Sequence, residues 1–289
     1  MMNNSIGKIR SSYILNEIST YLQQKKLLEM VRYNKQLKKK LEIKLEDYKK
    51  VFSKIVIEII PVENALGKFI NTDLNKNSKN YFHSYFNGSK KENKRNEIIK
   101  DDKVDKIKVV IDYEIKSFYK LFNEINTIKK INFIRFDRKD IKNMSSMFYN
   151  CSSLEEINFN KFNTDKVIDM SFMFFRCSSL KKLDLIKFNT INVTNMCGVF
   201  FGCSSLRKLD LSKFITIKTR NMCAMFFECS SLKELNFINF KNINDIRLDS
   251  IFYGCTSLEE LKCQEQSLKN QYEKLNTNID DMFIISLKY

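Results

Sequence analysis

Residues 177–185, CSSLKKLDL, decide the architecture because the chain keeps returning to them. The segment recurs as CSSLEEINF (151–159), CSSLRKLDL (203–211), CSSLKELNF (229–237) and CTSLEELKC (255–263), which sets Cys151, Cys177, Cys203, Cys229 and Cys255 at intervals of 26 residues. Five copies in one register describe a stack of like units. No unit can bury its apolar side alone, and each touches only its neighbours.

Working outward, other columns keep the same register. Met144, Met170, Met196, Met222 and Leu248 form one; Phe148, Phe174, Phe200, Phe226 and Phe252 a second; Phe162, Phe188, Phe214 and Phe240 a third. A weaker copy comes first, with Phe118, Leu121, Phe122, Ile125, Ile128, Ile131, Phe133 and Phe136 on the same columns, giving about six coils over 118–263. Within a coil, L-x-x-L-x-L (Leu180, Leu183, Leu185) is the strand signature of a leucine-rich repeat. Met170, Met173, Phe174 and Cys177 have the i, i+3, i+4, i+7 spacing of one helix face. The fold class expected is therefore α/β, a leucine-rich-repeat solenoid of parallel strands plus short helices with an N-terminal helical cap. The phenylalanine column stands where such repeats usually carry asparagine, so stacked rings replace a hydrogen-bonded ladder and leave turn backbone groups to find other partners.

The units NMSSMFYNCSSLEEINFNKFNTDKV (143–167) and NMCGVFFGCSSLRKLDLSKF (195–214) resemble the BspA-type leucine-rich repeats of bacterial and protist proteins. The likeness covers 118–263, about half the chain. It implies a repeat fold and, for some members, adhesion to host proteins at the cell surface.

The flanks divide into 1–53, a helical segment; 54–117, a strand, a polar flexible insert and a capping strand; and 264–289, a C-terminal cap. Two helices are predicted within 11–50. Ile14, Leu15, Ile18 and Leu22, followed by Leu27 and Leu28, weakly resemble the F-box, although the usual early proline is missing. That resemblance would imply a ubiquitin-ligase substrate adaptor; the simpler reading is a cap on the open edge of the solenoid. KIVIEII (54–60) reads as a strand ended by Pro61, the polar stretch 71–106 as a loop, and 107–113 as a strand pairing with the first coil.

The composition offers little chemistry. Eight cysteines invite a metal or disulfide reading, but one thiol per coil makes a ladder and not a tetrahedral cluster. Cys197 and Cys223, six residues before Cys203 and Cys229, match no common zinc spacing. Buried free thiols are expected, with no metal and no cofactor. The single histidine, His83, lies in the polar stretch away from any nucleophile motif, and the six glycines form no phosphate loop. A non-enzymatic protein is expected.

The net charge of +16 would suit a polyanion, yet lysines and carboxylates alternate on the expected strand face. A protein partner is therefore favoured over nucleic acid, and the charge reads as solvated lysines. The candidate face comprises Glu156, Asn158, Lys161, Lys182, Asp184, Lys187, Lys208, Asp210, Lys213, Glu234 and Asn236, the outward positions of successive coils. With no apolar run long enough for a signal peptide or membrane span, a cytoplasmic monomer is expected, the cell surface being the location the family resemblance implies.

Overall fold

The computed structural model describes residues 35–40, 53–74, 78–136, 138–159, 162–240 and 246–277. The expected helices of 11–50 lie outside these residues apart from a short helix α1 at Lys35–Lys40.

Strand β1 (Ile55–Pro61) buries Ile55, Ile57 and Ile59 on one face, the alternation its sequence foreshadows. A short pair, β2 (Gly67–Lys68) and β4 (Glu97–Ile98), flanks it. Strand β3 (Phe82–Phe86) lies within the stretch read as a loop. The correction has a local cause: Tyr81, Phe82, Tyr85 and Phe86 form an aromatic cluster whose content is diluted when averaged over the lysines and asparagines around it. Strand β5 (Ile107–Ile111) runs antiparallel between β3 and β1. It does not pair with the first coil as expected; β1 does, antiparallel to β6 (Ile128–Arg135) through Ile57↔Phe133 and Ile59↔Ile131.

From β6 onward each coil contributes one strand. These are β7 (Glu156–Asn158), β8 (Lys182–Leu183), β9 (Lys208–Asp210), β10 (Glu234–Asn236) and β11 (Glu260–Lys262). Parallel pairing joins β6 to β7 and β7 to β8, and then β9 to β10 and β10 to β11. The strand ladder is broken between β8 and β9.

The short helices expected from M-x-x-M-F-x-x-C are not formed; the segment is a run of four-residue turns. The amides of Met147, Tyr149 and Cys151 each donate to the carbonyl three residues back, whereas those of Ser146, Phe148 and Asn150 donate across to Ser171, Met173 and Phe175 of the next coil. An α-helix would send every amide four residues back. The turns need left-handed backbone at fixed places, and φ is positive at Ser146, Asn150, Phe172, Arg176, Gly198, Gly202, Ala224, Glu228, Ser250 and Gly254. Turns and helices both return apolar side chains to one side at this spacing, which is why the pattern did not separate them. These cross-coil bonds continue where the strands separate, with Phe172 donating to Cys197 and Phe174 to Val199.

The interior is laid down in columns. Phe122, Phe148, Phe174, Phe200, Phe226 and Phe252 stack with centroids 5.4 to 5.9 Å apart. Each repeat cysteine is a hydrogen-bond donor as well as a small hydrophobe: Cys177 Sγ lies 3.1 Å from the Phe148 carbonyl and Cys203 Sγ 3.2 Å from that of Phe174. The job of the missing asparagine ladder falls to buried threonines two residues beyond the phenylalanines. Thr164 Oγ1 donates to the Asn189 carbonyl (2.9 Å) and accepts from its amide (2.7 Å); Thr190 does the same for Ile215. The turn groups are thus satisfied from the neighbouring coil.

Beyond β11, helix α2 (Gln266–Thr277) buries Leu268 completely. Its Tyr272 hydroxyl donates to the Leu258 carbonyl at 3.0 Å, and the Tyr272 ring meets Phe252 edge-on. At the other end, the buried Arg138 guanidinium binds both carboxylate oxygens of Asp140 and the Asp112 carbonyl.

Candidate interaction face

The outward strand positions line up as their spacing requires. Parallel register places Lys130 beside Glu156, Glu156 beside Lys182, Lys208 beside Glu234, and Glu234 beside Glu260. Ion pairs bridge successive coils or neighbouring columns: Lys130–Glu156 at 2.8 Å, Lys208–Glu234 at 2.5 Å and Lys262–Glu260 at 2.9 Å. Lys130 belongs to this face and was passed over because the first coil departs most from the repeat.

A second row, one residue earlier, was also missed. Lys129 and Lys181 flank Glu155, and Lys233 pairs with Glu259 at 2.7 Å. Its sequence signal is the residue before each of β7 to β11 (Glu155, Lys181, Arg207, Lys233, Glu259), with Lys129 one period earlier inside β6.

The column Asn158, Asp184, Asp210, Asn236 has a structural task. Asp184 Oδ1 accepts the Ile186 amide at 3.0 Å and Asp210 Oδ1 accepts the Ser212 amide at 2.9 Å, so these side chains turn the chain at the strand end. Of the third column, Lys187 and Lys213 are exposed, and Lys161 lies outside the described residues. Beside Lys187, Ile186 is 61% exposed.

A shallow groove of about 650 Å³ crosses this face from β8 to β11, lined by Lys181, Lys182, Arg207, Lys208 and Lys262, by Asp184, Asp210, Glu234 and Glu260, and by Leu183, Leu209 and Leu235. It spans the break between β8 and β9. A smaller hollow of about 280 Å³ adjoins it, bounded by Glu156, Asn158, Lys182 and Ile186.

The opposite, turn-side ridge carries a feature the sequence reading overlooked. Tyr149, Phe175, Phe201, Phe227 and Tyr253 stack 4.4 to 4.6 Å apart and are half-buried. They follow the buried phenylalanine column by one residue, so the signal was there at the same period. The rings cover one another's faces, leaving edges to solvent.

Reactive chemistry is sparse among the described residues. Burial pushes the Cys151, Cys203 and Cys255 thiols up to about 12 and holds Cys177 and Cys229 well above the ordinary thiol value, so the ladder is protonated and inert. No group of three His, Cys, Asp or Glu side chains among the described residues could hold a metal ion. His83 sits on β3 between Glu92 (2.9 Å) and Asp112 (3.1 Å), and Asp112 also pairs with Lys54. No described helix is long and apolar enough to cross a membrane.

The family model described as "Mycoplasma protein of unknown function, DUF285" matches residues 116–239 and 178–284, together more than half of the chain. The chain belongs to this family. The DUF285 matches begin at 116, so the F-box-like likeness at 11–50 gains no support from them. Among solved structures, the chain is similar to a leucine-rich repeat protein from Bacteroides ovatus, with 18% identity and a TM-score of 0.21 over 56% of this chain and 66% of that one. The chain thus spans just under two thirds of that structure. No curated protein matches.

Proposed function

We propose that this DUF285 chain is a non-enzymatic interaction module, a leucine-rich-repeat-like solenoid that presents its strand face to a protein partner. The observation that carries the reading is the alignment of six coils' outward side chains into charged columns around a shallow open groove. Such a surface is broad and polar, with the exposed Ile186 side chain at its rim, and its ordered charges offer a partner electrostatic complementarity. The mixture of carboxylates and lysines suits a protein better than a polyanion, which would meet Glu155, Glu156, Glu234 and Glu260 at every approach.

The test is capture of partners from native lysate by the full chain and by two charge-swapped variants. One carries Glu156→Arg with Lys213→Glu on the strand face; the other carries Arg176→Glu with Glu228→Arg on the turn ridge. A partner lost by the first and kept by the second supports the reading. Retention by the first, or loss only by the second, refutes it.

A further inference from the structure

Resting on the strand-face reading, we infer that the β8–β9 end of the groove is a receptor for an acidic peptide segment, whose carboxylates supply counter-charge that this end lacks. The inference starts from the charges that meet at each coil boundary. Between the first and second coils Lys129 faces Glu155 and Lys130 faces Glu156; between the second and third Glu155 faces Lys181 and Glu156 faces Lys182. Opposite charges meet in both rows. Between the third and fourth coils Lys181 stands against Arg207 and Lys182 against Lys208, so both rows oppose like charges. At the later boundaries one row in each is opposite: Lys208 meets Glu234, and Lys233 meets Glu259.

The strand ladder breaks at the one boundary where both rows repel. Like charges directly opposite one another destabilise strand pairing, while the turn-side bonds from Phe172 to Cys197 and from Phe174 to Val199 keep the two coils joined. The unpaired boundary forms one end of the groove of about 650 Å³, which continues over β9, β10 and β11. Of its five cations, Lys181 leans to Glu155, Lys208 to Glu234 and Lys262 to Glu260, whereas neither Lys182 nor Arg207 has a carboxylate partner among the described residues. Asp184 and Asp210 also line it, each with one oxygen held by a backbone amide, and offset part but not all of the positive charge.

Size and surroundings select the ligand. The patch, four cations against the two carboxylates of Asp184 and Asp210, is two coils wide, about 5 to 10 Å at strand spacing, with Glu155 and Glu156 on one side and Glu234 and Glu260 farther along the groove on the other. It fits one or two carboxylates of a peptide. A nucleic-acid strand, with phosphates repeating beyond the patch, would run onto those glutamates.

The experiment uses the full chain and a fluorescein-labelled peptide containing Glu-Glu-Ile-Ile, read by anisotropy, beside a labelled poly(U) oligonucleotide. Arg207→Glu restores opposite charges on both sides, Lys181 and Lys233, so it should fold at least as stably as the parent. It is expected to weaken peptide binding tenfold or more, while Lys100→Glu, the same charge change in the N-terminal sheet region, shifts it less than twofold. Peptide binding should also slow amide exchange at 181–183 and 207–209. Four results overturn the inference: no saturable peptide binding, equal binding by Arg207→Glu, equal loss in Lys100→Glu, or tighter binding of poly(U). If the peptide fails while the strand-face charge swap still loses a captured partner, acidic recognition falls and the interaction-module reading stands. If the swap loses nothing, both fall.

Discussion

Replacing Thr190 by valine keeps the shape of a fully buried side chain and removes one hydroxyl. That hydroxyl donates to the Ile215 carbonyl at 2.9 Å and accepts the Ile215 amide at 2.7 Å. Valine leaves both backbone groups of the next coil without this partner. A stranded buried polar group costs about 1–3 kcal/mol, and Ile215 is partly exposed, so water recovers some of the loss for each group. The sum expected is about 2–4 kcal/mol. Thr194→Val is the reference, since the Thr194 hydroxyl makes one long bond to the Ile168 carbonyl (3.3 Å) at the surface; it should cost about 0.5 kcal/mol or less. Urea denaturation followed by circular dichroism gives both values, and native-state amide exchange should show the Thr190→Val loss concentrated at Ile215. A Thr190→Val cost no greater than that of Thr194→Val would refute the threonine ladder.

Gly198→Ala should destabilise by more than the roughly 1–2 kcal/mol of a left-handed alanine, because its Cβ would sit 2.6 Å from the Phe172 ring; Ala224→Gly, at the equivalent turn, should be neutral or raise the melting temperature. Under native conditions a thiol reagent should label Cys197 and Cys263, which are partly exposed, and reach the five repeat cysteines only after unfolding. Asp140→Ala leaves the buried Arg138 charge, among the described residues, with the Asp112 carbonyl and the Tyr113 ring, at an expected cost of about 2–4 kcal/mol by calorimetry. Burial opposes a charged His83, but the Asp112 and Glu92 carboxylates outweigh it and raise its pKa; the stability it adds is therefore full below the unfolded value of about 6.5 and is lost as pH rises through the folded one, a slope that His83→Gln should abolish in pH-dependent melts.

Most of the stack was legible in the sequence because stacking puts one residue type in one place every 26 residues. The inward and outward sorting of Leu183, Leu209 and Leu235 against Lys182, Lys208 and Glu234 followed from alternation alone. Backbone hydrogen bonding was not legible. Four-residue turns and a short helix return apolar side chains at nearly the same interval, so Met170, Met173, Phe174 and Cys177 could not tell them apart; positive φ at Phe172, Arg176 and Glu228, residues with no preference for it, gave no warning. The threonines at 164 and 190 were hidden by the louder phenylalanines beside them. On the candidate face, the columns were readable, but the turn-forming task of Asp184 and Asp210 depends on local backbone geometry, and the break at Lys182 and Lys208 on which charges meet across coils. That second fact was available once Lys181 and Arg207 were counted as a row of their own.

The most direct test of the strand face as the binding surface is hydrogen–deuterium exchange of the full chain with and without a protein partner captured from lysate. Slowed exchange at 156–158, 182–184, 208–210 and 234–236, with the turns at 144–151 and 170–177 unchanged, is the predicted footprint. Protection confined to those turns or to the antiparallel strands β1, β3 and β5 would contradict it.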